Sequence, residues 1–448
     1  MKIVVAGAGE VGFHIADHLI KEGKDVVLIE KDADRAKFAS SHLDCLVVQG
    51  EASNLEILKQ AGIQKADGFI SATDYDEVNM ISCFIVASEY NVPVKIARVR
   101  NMEYSKTRLV GQKYSGIDYI VNPEIEAAKN IASTVQHGAT SDIFLFENSD
   151  IQLRDIFVDE DSYFSGKTLK DIKTAIKEDF IIAGILRDEE VIVPAGDTKV
   201  QEKDHLYIIA SNSTFMEILR KTGTPHKKLK TVIVVGGGKI GRYVTEFLIK
   251  MGKKVKIVDK SYEECKKLAA DYPDVLVIDG DISDESLFED ESLANADAIV
   301  TTTRNEELNI LAAIYGKSKG INRSVALVNK SNYLNIADNL GIDSTVSPKL
   351  SSVNAILKYI RRGNIKSVYK IFDGKAEVSE FHVINGAPVT DNALKDIKLP
   401  SGSLILAVIR GGKNIIPDGN FVIKSDDSVI TFCIKDTAES LQKYFSGI

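Results

Sequence analysis

The chain has 448 residues, of which 44% are hydrophobic and 27% charged, and its formal net charge is -8. This length suits roughly three or four domains of ordinary size, and the balance of apolar and charged residues excludes wholesale disorder. A pI near 5.6 gives no general attraction to nucleic acid or to anionic lipid. No apolar run approaches the ~20 residues that span a bilayer. We therefore expect no nucleic-acid partner and no direct membrane insertion.

The cysteines and histidines form no pattern typical of a metal site. The four cysteines lie far apart without a C-x-x-C pair, which favours reduced thiols in a cytoplasmic protein. His14 and His18 stand one helical turn apart, but no third ligand follows them at the spacing of a zinc site. We expect no bound metal.

In chain order, the first predicted elements are short Val- and Ile-rich strands that alternate with helical patterns. Six such strands, at residues 3–6, 26–29, 46–48, 69–71, 94–97 and 119–121, predict a parallel sheet covered on both faces. From about Thr140 to Thr222 the strands lie closer together, with one helical stretch near residues 169–176, which predicts a small α+β module. Residues 222–230 contain Gly, Pro and basic residues, and predict an exposed linker.

The sequence then repeats itself. KIVVAGAGEVG at Lys2–Gly12 returns as TVIVVGGGKIG at Thr231–Gly241, and Leu169–Ile172 returns as Leu394–Ile397. The duplicated unit is therefore a pair of domains. We predict an α/β fold with two Rossmann-like, doubly wound parallel-sheet domains, each followed by a small α+β module. The predicted domains are residues 1–136, 137–222, 231–360 and 361–448.

The glycines of this repeat match a dinucleotide-binding fingerprint. Gly7, Gly9 and Gly12 follow a strand and open a helix, and Glu30 stands 18 residues beyond the last glycine. The first glycine permits a tight turn, the second lets the backbone approach a pyrophosphate, and the third lets the helix pack on the strand. The corresponding residues of the second half are Gly236, Gly238, Gly241 and Asp259.

The fingerprint also indicates which nucleotide is bound. The N-terminus of the helix offers free N–H groups and roughly half a positive charge to phosphates. Glu30 can accept hydrogen bonds from an adenosine ribose, whereas its charge repels a 2′-phosphate. We therefore expect NAD(H), with ATP or ADP as the alternative, rather than NADP.

Two arginines follow the fifth predicted strand. Arg98 and Arg100 lie on one face near the carboxyl edge of the sheet, where they either contact phosphates or pair with surface carboxylates. We align Arg98 with Val328 and Arg100 with Lys330, which predicts a weaker grip on phosphate or a different ligand in the second half.

Patterns of catalysis are absent from the sequence. It has no G-x-S-x-G, no Walker A pattern and no Cys/His nucleophile pair. Each α/β domain is followed only by a β-rich module without the acid/base residues that hydride transfer needs. We expect no catalytic residues and no enzymatic activity.

The chain resembles the regulator-of-potassium-conductance (RCK or KTN) family over nearly its whole length, and within it the peripheral subunits of Trk potassium uptake systems. The specific parts are VVAGAGEVG, the stretch Gly50–Ser53 and ISATDYDEVNM. The resemblance implies that Glu51 and Asp281 lie near the adenosine. It also implies that Ser71, Thr73 and Asn79 line the edge of the cleft.

Together, the motif and the resemblance predict one set of cofactor-binding residues in each half. In the first half these are Gly7, Gly9, Glu10, Val11, Gly12, Glu30, Glu51, Ala52, Ser71, Thr73, Asn79, Arg98 and Arg100. In the second half they are Gly236, Gly238, Lys239, Ile240, Gly241, Asp259, Asp281, Ile282, Thr301, Thr303 and Lys330.

The resemblance further implies a homo-oligomer, a tetramer or a dimer of dimers, that forms a cytoplasmic ring. The ring would be peripheral to the membrane through a TrkH-like or TrkG-like potassium-conducting partner, and bound nucleotide would change its geometry and gate the pore. Two alternatives stay open. One is a ligand-sensing regulator of another potassium channel or antiporter, and the other is an NAD-dependent oxidoreductase.

Overall fold

The structure is a computed structural model that describes residues 1–101, 103–104, 116–136, 143–146, 149–158, 160, 162–188, 190–222, 229–290, 292–360, 365–371, 375–434 and 437–445. The chain divides into two compact units, one of residues 1–141 with 228–360 and the other of residues 142–227 with 361–448. Residues 223–228 of the predicted linker lie outside the described residues.

The first α/β domain is a six-stranded parallel sheet with the strand order β3-β2-β1-β4-β5-β6, which confirms the predicted sheet. Since the order reverses between β1 and β4, a crevice opens at their carboxyl ends. Its elements are β1 (Lys2–Ala6), α1 (Glu10–Lys21), β2 (Asp25–Glu30), α2 (Ala33–His42), β3 (Leu46–Gln49), α3 (Leu55–Gln60), β4 (Gly68–Ser71), α4 (Asp76–Glu89), β5 (Val94–Arg98), β6 (Tyr119–Val121) and α5 (Pro123–Gln136).

Burial explains why this part of the chain forms these elements. Residues 3–6 of β1 are fully buried, as a strand covered on both faces must be. In α1 the buried positions Val11, Ile15 and Leu19 recur every four residues and form one apolar face. Each such side chain contributes about 1.5–3 kcal/mol when it leaves water.

The first small module is an antiparallel sheet with the order β10-β9-β11-β8-β7. Its strands and helices confirm the predicted α+β texture. They are β7 (Ile143–Leu145), β8 (Ile151–Phe157), α6 (Leu169–Ala175), β9 (Phe180–Arg187), β10 (Glu190–Ile192), β11 (His205–Ser211) and α7 (Asn212–Lys221).

The second α/β domain repeats the first, with the order β14-β13-β12-β15-β16-β17. Its elements are β12 (Thr231–Val235), α8 (Lys239–Lys250), β13 (Lys254–Asp259), α9 (Tyr262–Asp271), β14 (Leu276–Asp279), α10 (Glu285–Asp290), β15 (Ala298–Thr301), α11 (Glu306–Ser318), β16 (Arg323–Leu327), α12 (Ser331–Asn339), β17 (Ser344–Val346) and α13 (Pro348–Ile360).

The second small module is again antiparallel, with the order β18-β19-β22-β20-β21. In both modules a buried aspartate accepts two hydrogen bonds from one arginine, Arg187 to Asp204 and Arg410 to Asp427, at 2.7–2.8 Å. The elements of the second module are β18 (Ile365–Ile371), β19 (Ala376–His382), β20 (Ser403–Arg410), β21 (Lys413–Ile415), β22 (Ser428–Ile434) and α14 (Ala438–Gln442).

The two α/β domains exchange their last helices. The apolar face of α5 packs into the core of the second domain, where Ile131 and Val135 join Val232 and Leu248. The apolar face of α13 packs in turn into the core of the first domain. The hydroxyl of Tyr359 on α13 also donates to the carbonyl of residue 118 at 3.1 Å. Each α/β core is therefore completed by a helix of the other half.

A helix that crosses a bilayer needs about 20 mostly apolar residues. In the described ranges, no helix combines the length and the apolar character needed to cross a membrane.

Candidate functional site

A cavity of about 540 Å³ lies at the crevice of the first α/β domain. It is bounded by the turn between β1 and α1, the ends of β2 and β3, and the loop that follows β4. Six of the predicted binding residues line it, namely Gly7, Gly9, Glu30, Glu51, Ala52 and Thr73.

The glycine turn has the geometry that the fingerprint predicts. Gly7 has a φ of +99°, a conformation that a side chain would strain. A Cβ on Gly12 would lie 1.9 Å from the carbonyl oxygen of Gly7, so only glycine lets α1 start this close to the turn. Gly9 has an ordinary φ of -66°, and no side chain caps α1 among the described residues. The first-turn N–H groups of α1 are therefore available to an anion.

The carboxylate of Glu30 holds this turn in place. Glu30 is buried, and its Oε2 accepts a hydrogen bond from the N–H of Ala8 at 2.5 Å while its Oε1 accepts from the N–H of Asp32 at 2.8 Å. Each carboxylate oxygen has a second lone pair. Glu30 can thus brace the turn and still accept a hydroxyl from a ligand in the cavity.

A second cavity of about 650 Å³ occupies the same place in the second α/β domain. Gly236 has a φ of +97°, and a Cβ on Gly241 would lie 1.9 Å from the carbonyl oxygen of Gly236. Asp259 accepts from the N–H of Gly237 at 2.7 Å and from that of Ser261 at 2.9 Å. The predicted residues that line this cavity are Gly236, Gly238, Lys239, Asp259, Asp281, Ile282 and Thr303.

Three of the predicted uncharged polar residues lie beneath the cavities instead of lining them. Ser71, Asn79 and Thr301 are fully buried and are absent from both linings. The Oδ1 of Asn79 accepts from the N–H of Thr73 at 2.8 Å, and its Nδ2 donates to the carbonyl of Arg98 at 2.8 Å. Of the predicted edge residues Ser71, Thr73 and Asn79, only Thr73 therefore faces the cavity. Asn79 ties the end of β4 to the end of β5.

Asn309 makes the same connections in the second domain, to the N–H of Thr303 at 2.9 Å and to the carbonyl of Leu327 at 2.9 Å. We expect Asn79→Ala and Asn309→Ala each to lower the free energy of unfolding by about 3 kcal/mol, because several buried polar groups lose their partners. Denaturant midpoints of the full chain measure this loss. Replacing the exposed Asn91 with alanine is the control. An equal loss of stability in all three variants would show that Asn79 and Asn309 do not hold the strand ends together.

Arg98 and Arg100 bind the main chain of the loop after β4. The Nη1 of Arg98 donates to the carbonyl of Thr73 at 3.2 Å, and the Nη2 of Arg100 donates to that of Asp74 at 2.8 Å. Burial lowers the pKa of the Arg98 guanidinium, and the nearby charge of Arg100 lowers it further. Neither arginine lines the cavity. The structure thus shows Arg98 and Arg100 each donating a hydrogen bond to a backbone carbonyl of this loop.

The predicted alignment of these arginines with the second half is wrong by one residue. Arg98 pairs with Val121 in the sheet, and Leu327 pairs with Val346 at the same place in the second sheet. Arg98 therefore corresponds to Leu327, and Arg100 to Asn329, rather than to Val328 and Lys330. The cause is a connection one residue shorter, since Asn79 precedes its strand-end partner by 19 residues and Asn309 precedes its own by 18.

Charged residues on the cavity walls were missed by the sequence prediction. On α2, the Nη1 of Arg35 lies 3.1 Å from the Oδ2 of Asp74 at the first cavity. In the second cavity Arg242 bonds to Glu264, while Arg304 stands in the lining where the first half has Asp74. A position-by-position comparison of the two halves would have found them, because the Arg35–Asp74 pair aligns with Glu264 and Arg304 in reversed order.

Family models match both kinds of domain. The TrkA-N domain matches residues 3–123 and 232–348, and the TrkA-C domain matches residues 153–223 and 378–446. The TrkA-N ranges cover the two parallel sheets, and the TrkA-C ranges cover the antiparallel sheets except for their first strands, β7 and β18.

Whole-chain relatives agree with this assignment. The chain is 30% identical to "Trk system potassium uptake protein TrkA homolog 1" of Methanosarcina mazei, over 99% of this chain and 100% of that one. It is 31% identical to "Trk system potassium uptake protein TrkA" of Halomonas elongata, over 97% and 96% of the two chains. Its fold is similar to the solved structure of the GsuK RCK domain, with a TM-score of 0.56 at 16% identity over 99% and 94% of the two chains. The chain belongs to the TrkA family of Trk system potassium uptake proteins.

Proposed function

We propose that this protein is a regulatory subunit of a Trk-type potassium uptake system and that it binds an adenine nucleotide in each α/β domain. The observation that carries the proposal is the repeated geometry of the two cavities. Each combines a positive-φ glycine, an uncapped helix start and a carboxylate, Glu30 or Asp259, that holds the turn. A helix N-terminus of this kind favours phosphate, and the carboxylate suits a ribose diol.

The proposed ligand is NAD(H), ATP or ADP. The structure of the GsuK channel bound to NAD has the same fold, with a TM-score of 0.57 at 17% identity. In the proposed complexes Glu30 and Asp259 accept hydrogen bonds from the ribose hydroxyls, so a 2′-phosphate would meet a negative charge. NADP is therefore the disfavoured member of the class.

We further propose that the nucleotide is sensed and is not consumed. No histidine or cysteine lies in the lining of either cavity as far as the described residues extend, and these are common acid, base and nucleophile residues. A nucleotide can then act only through its different affinities for two conformations of the protein. A coupling of about 1–3 kcal/mol would change pore opening roughly 5- to 150-fold.

The proposed partner is a membrane-embedded potassium-conducting subunit of the TrkH or TrkG type. The proposed assembly is a homo-oligomeric cytoplasmic ring, a tetramer or a dimer of dimers. The names of the whole-chain relatives support the Trk system, and the GsuK channel supports a link between this fold and a channel.

Calorimetry on the full chain tests the ligand. We expect NADH, NAD, ATP or ADP to bind with up to two sites per chain, and NADPH to bind at least about tenfold more weakly than NADH, a difference of about 1.4 kcal/mol. The absorbance of NADH should stay constant in the presence of the protein. If no adenine nucleotide bound at millimolar concentration, or if the protein steadily oxidised NADH, the proposal would be refuted.

Potassium flux tests the regulatory role. Proteoliposomes that contain a Trk membrane subunit should conduct potassium at a rate that depends on this protein and on added nucleotide. A flux that is unaffected by the protein would show that the proposed partner is wrong, whatever the calorimetry finds.

A further inference from the structure

The two cavities have the same shape of backbone but opposite balances of charge. The first is lined by more carboxylates than cations, and the second by more cations than carboxylates. The charged lining of the first cavity is Glu30, Asp32, Glu51, Asp74, Lys31 and Arg35. That of the second is Asp259, Glu264, Asp281, Lys239, Arg242, Lys260 and Arg304.

One reversal of charge lies on the loop after the fourth strand of each sheet. Asp74 follows Thr73, and Arg304 follows Thr303. The N–H groups of the two threonines are held by Asn79 and Asn309 at 2.8 and 2.9 Å. The two loops are therefore held alike, and the exchange of Asp for Arg reverses the charge at one fixed place on the cavity wall.

The cations of the first cavity are already neutralised. The guanidinium of Arg35 lies 3.1 Å from the carboxylate of Asp74, and the ammonium of Lys31 lies 3.6 Å from that of Glu51. The hydrogen bond to Asp74 raises the pKa of Arg35. An anionic ligand would have to compete with these carboxylates for both cations.

In the second cavity two of the four cations remain available to a ligand. Lys239 and Arg304 are exposed, and within the described ranges neither forms an ion pair with a protein carboxylate. Glu264, which aligns with Arg35 of the first half, is paired with Arg242 at 2.7 Å. That hydrogen bond lowers the pKa of Glu264, so the carboxylate stays ionised and paired with Arg242.

The start of each helix repeats the contrast. Glu10 begins α1, and its exposed carboxylate lies 3.6 Å from Lys349. Lys239 begins α8 at the equivalent position. A carboxylate at a helix N-terminus occupies the field that would attract phosphate, whereas a lysine there adds a further positive charge.

Adenine nucleotides differ in the charge of their phosphate end. ADP and ATP end in a free phosphate whose second ionisation lies near pH ~6, whereas the pyrophosphate of NAD is esterified at both ends and carries less charge. We propose that the second cavity selects ADP or ATP, with Arg304 as the discriminating cation, and that the first selects NAD(H). This inference rests on the proposed function, because it assigns ligands within the same two sites.

The test uses full-length variants that keep one cavity each. Gly9→Val and Gly238→Val place a side chain in the open space at one glycine turn, which leaves the other cavity for calorimetry with ADP, ATP and NADH at fixed ionic strength. We expect Gly9→Val, with only its second cavity, to bind ADP about tenfold or more tightly than NADH. Gly238→Val should show the reverse order.

A charge exchange then tests Arg304 itself. Arg304→Asp in the Gly9→Val protein should remove the preference for ADP, and Asp74→Arg in the Gly238→Val protein should weaken the preference for NADH. The exposed Arg220, changed to Asp in the Gly9→Val protein, is the matched control. Should Arg304→Asp fail to fold by circular dichroism, Arg304→Gln serves for the same comparison.

The outcomes separate the two proposals. Equal nucleotide preferences in the two single-cavity proteins, or an ADP preference that survives the loss of Arg304, would overturn the inference while leaving nucleotide binding intact. Failure of the unmodified protein to bind any of the three nucleotides would instead refute the proposed function.

Discussion

Gly9→Val and Gly238→Val are each expected to abolish nucleotide binding at one cavity while the protein remains folded. Both glycines have a φ of -66° and extended backbone, so a valine introduces no backbone strain there. A Cβ at Gly9 would meet only the end of the Arg35 side chain, 3.6 Å away, and a Cβ at Gly238 would meet no atom within 4 Å. The folded protein therefore has room for a side chain at either position.

A valine side chain at either glycine is incompatible with a bound nucleotide. At this glycine the backbone must approach the pyrophosphate closely, and a branched side chain would occupy that approach. We expect calorimetry to show a loss of affinity of at least about 100-fold at the altered site, equivalent to about 2.7 kcal/mol. The number of binding sites per chain should fall from two to one, and the double variant should bind nothing.

A third glycine provides the control. Gly196 lies in a loop of the first small module, and a Cβ there would also meet no atom within 4 Å. Gly196→Val should retain both sites. If Gly9→Val and Gly238→Val each kept two sites of unchanged affinity, the nucleotide would not lie on the glycine turns.

Gly12→Ala should have the opposite effect, a loss of stability. The added Cβ would lie 1.9 Å from the carbonyl oxygen of Gly7, and this oxygen belongs to the turn that joins β1 to α1. Helix and strand would have to move apart, which overpacks the core on the other side of α1. We expect a loss of about 3 kcal/mol or more in the free energy of unfolding. Gly241→Ala should cost at least as much, because its Cβ would also lie 2.9 Å from the Oγ1 of Thr302.

Urea denaturation of the full chain measures this loss, with Gly238→Ala as the control. An alanine at Gly238 lies in open space and should change the stability by no more than about 1 kcal/mol. Equal midpoints for Gly12→Ala and Gly238→Ala would show that α1 can shift away from the turn, and that the third glycine is not required for packing.

Much of this molecule was predicted from periodicity and repetition. Continuous apolar runs indicated buried parallel strands, and the glycine spacing located both cavities. The roles of the polar residues near them were harder to predict. Asn79 and Thr73 follow one another in the same motif, yet Asn79 is buried and Thr73 lines the cavity. Side chains six residues apart across a turn can face either way, and the sequence pattern does not say which.

The alignment of the two halves shows a similar limit. The glycine turns and the carboxylates Glu30 and Asp259 match at a constant offset. The helix α11 has 13 residues where α4 has 14, and the sequence there has no feature that marks the missing residue. Only the strand pairing of Arg98 with Val121 and of Leu327 with Val346 places the arginines correctly.

The sequence by itself determined the kind and order of the domains and the location of two nucleotide-type turns, because local periodicity and backbone geometry depend on neighbouring residues. Only the tertiary structure decided which core each last helix completes. The apolar face of α5 shows that this helix must be covered, but an i, i+4 pattern does not name its partner. The exchange of α5 and α13 between the α/β cores depends on contacts between residues more than 100 positions apart. The pairing of charges in each cavity likewise joins residues that are far apart in the sequence.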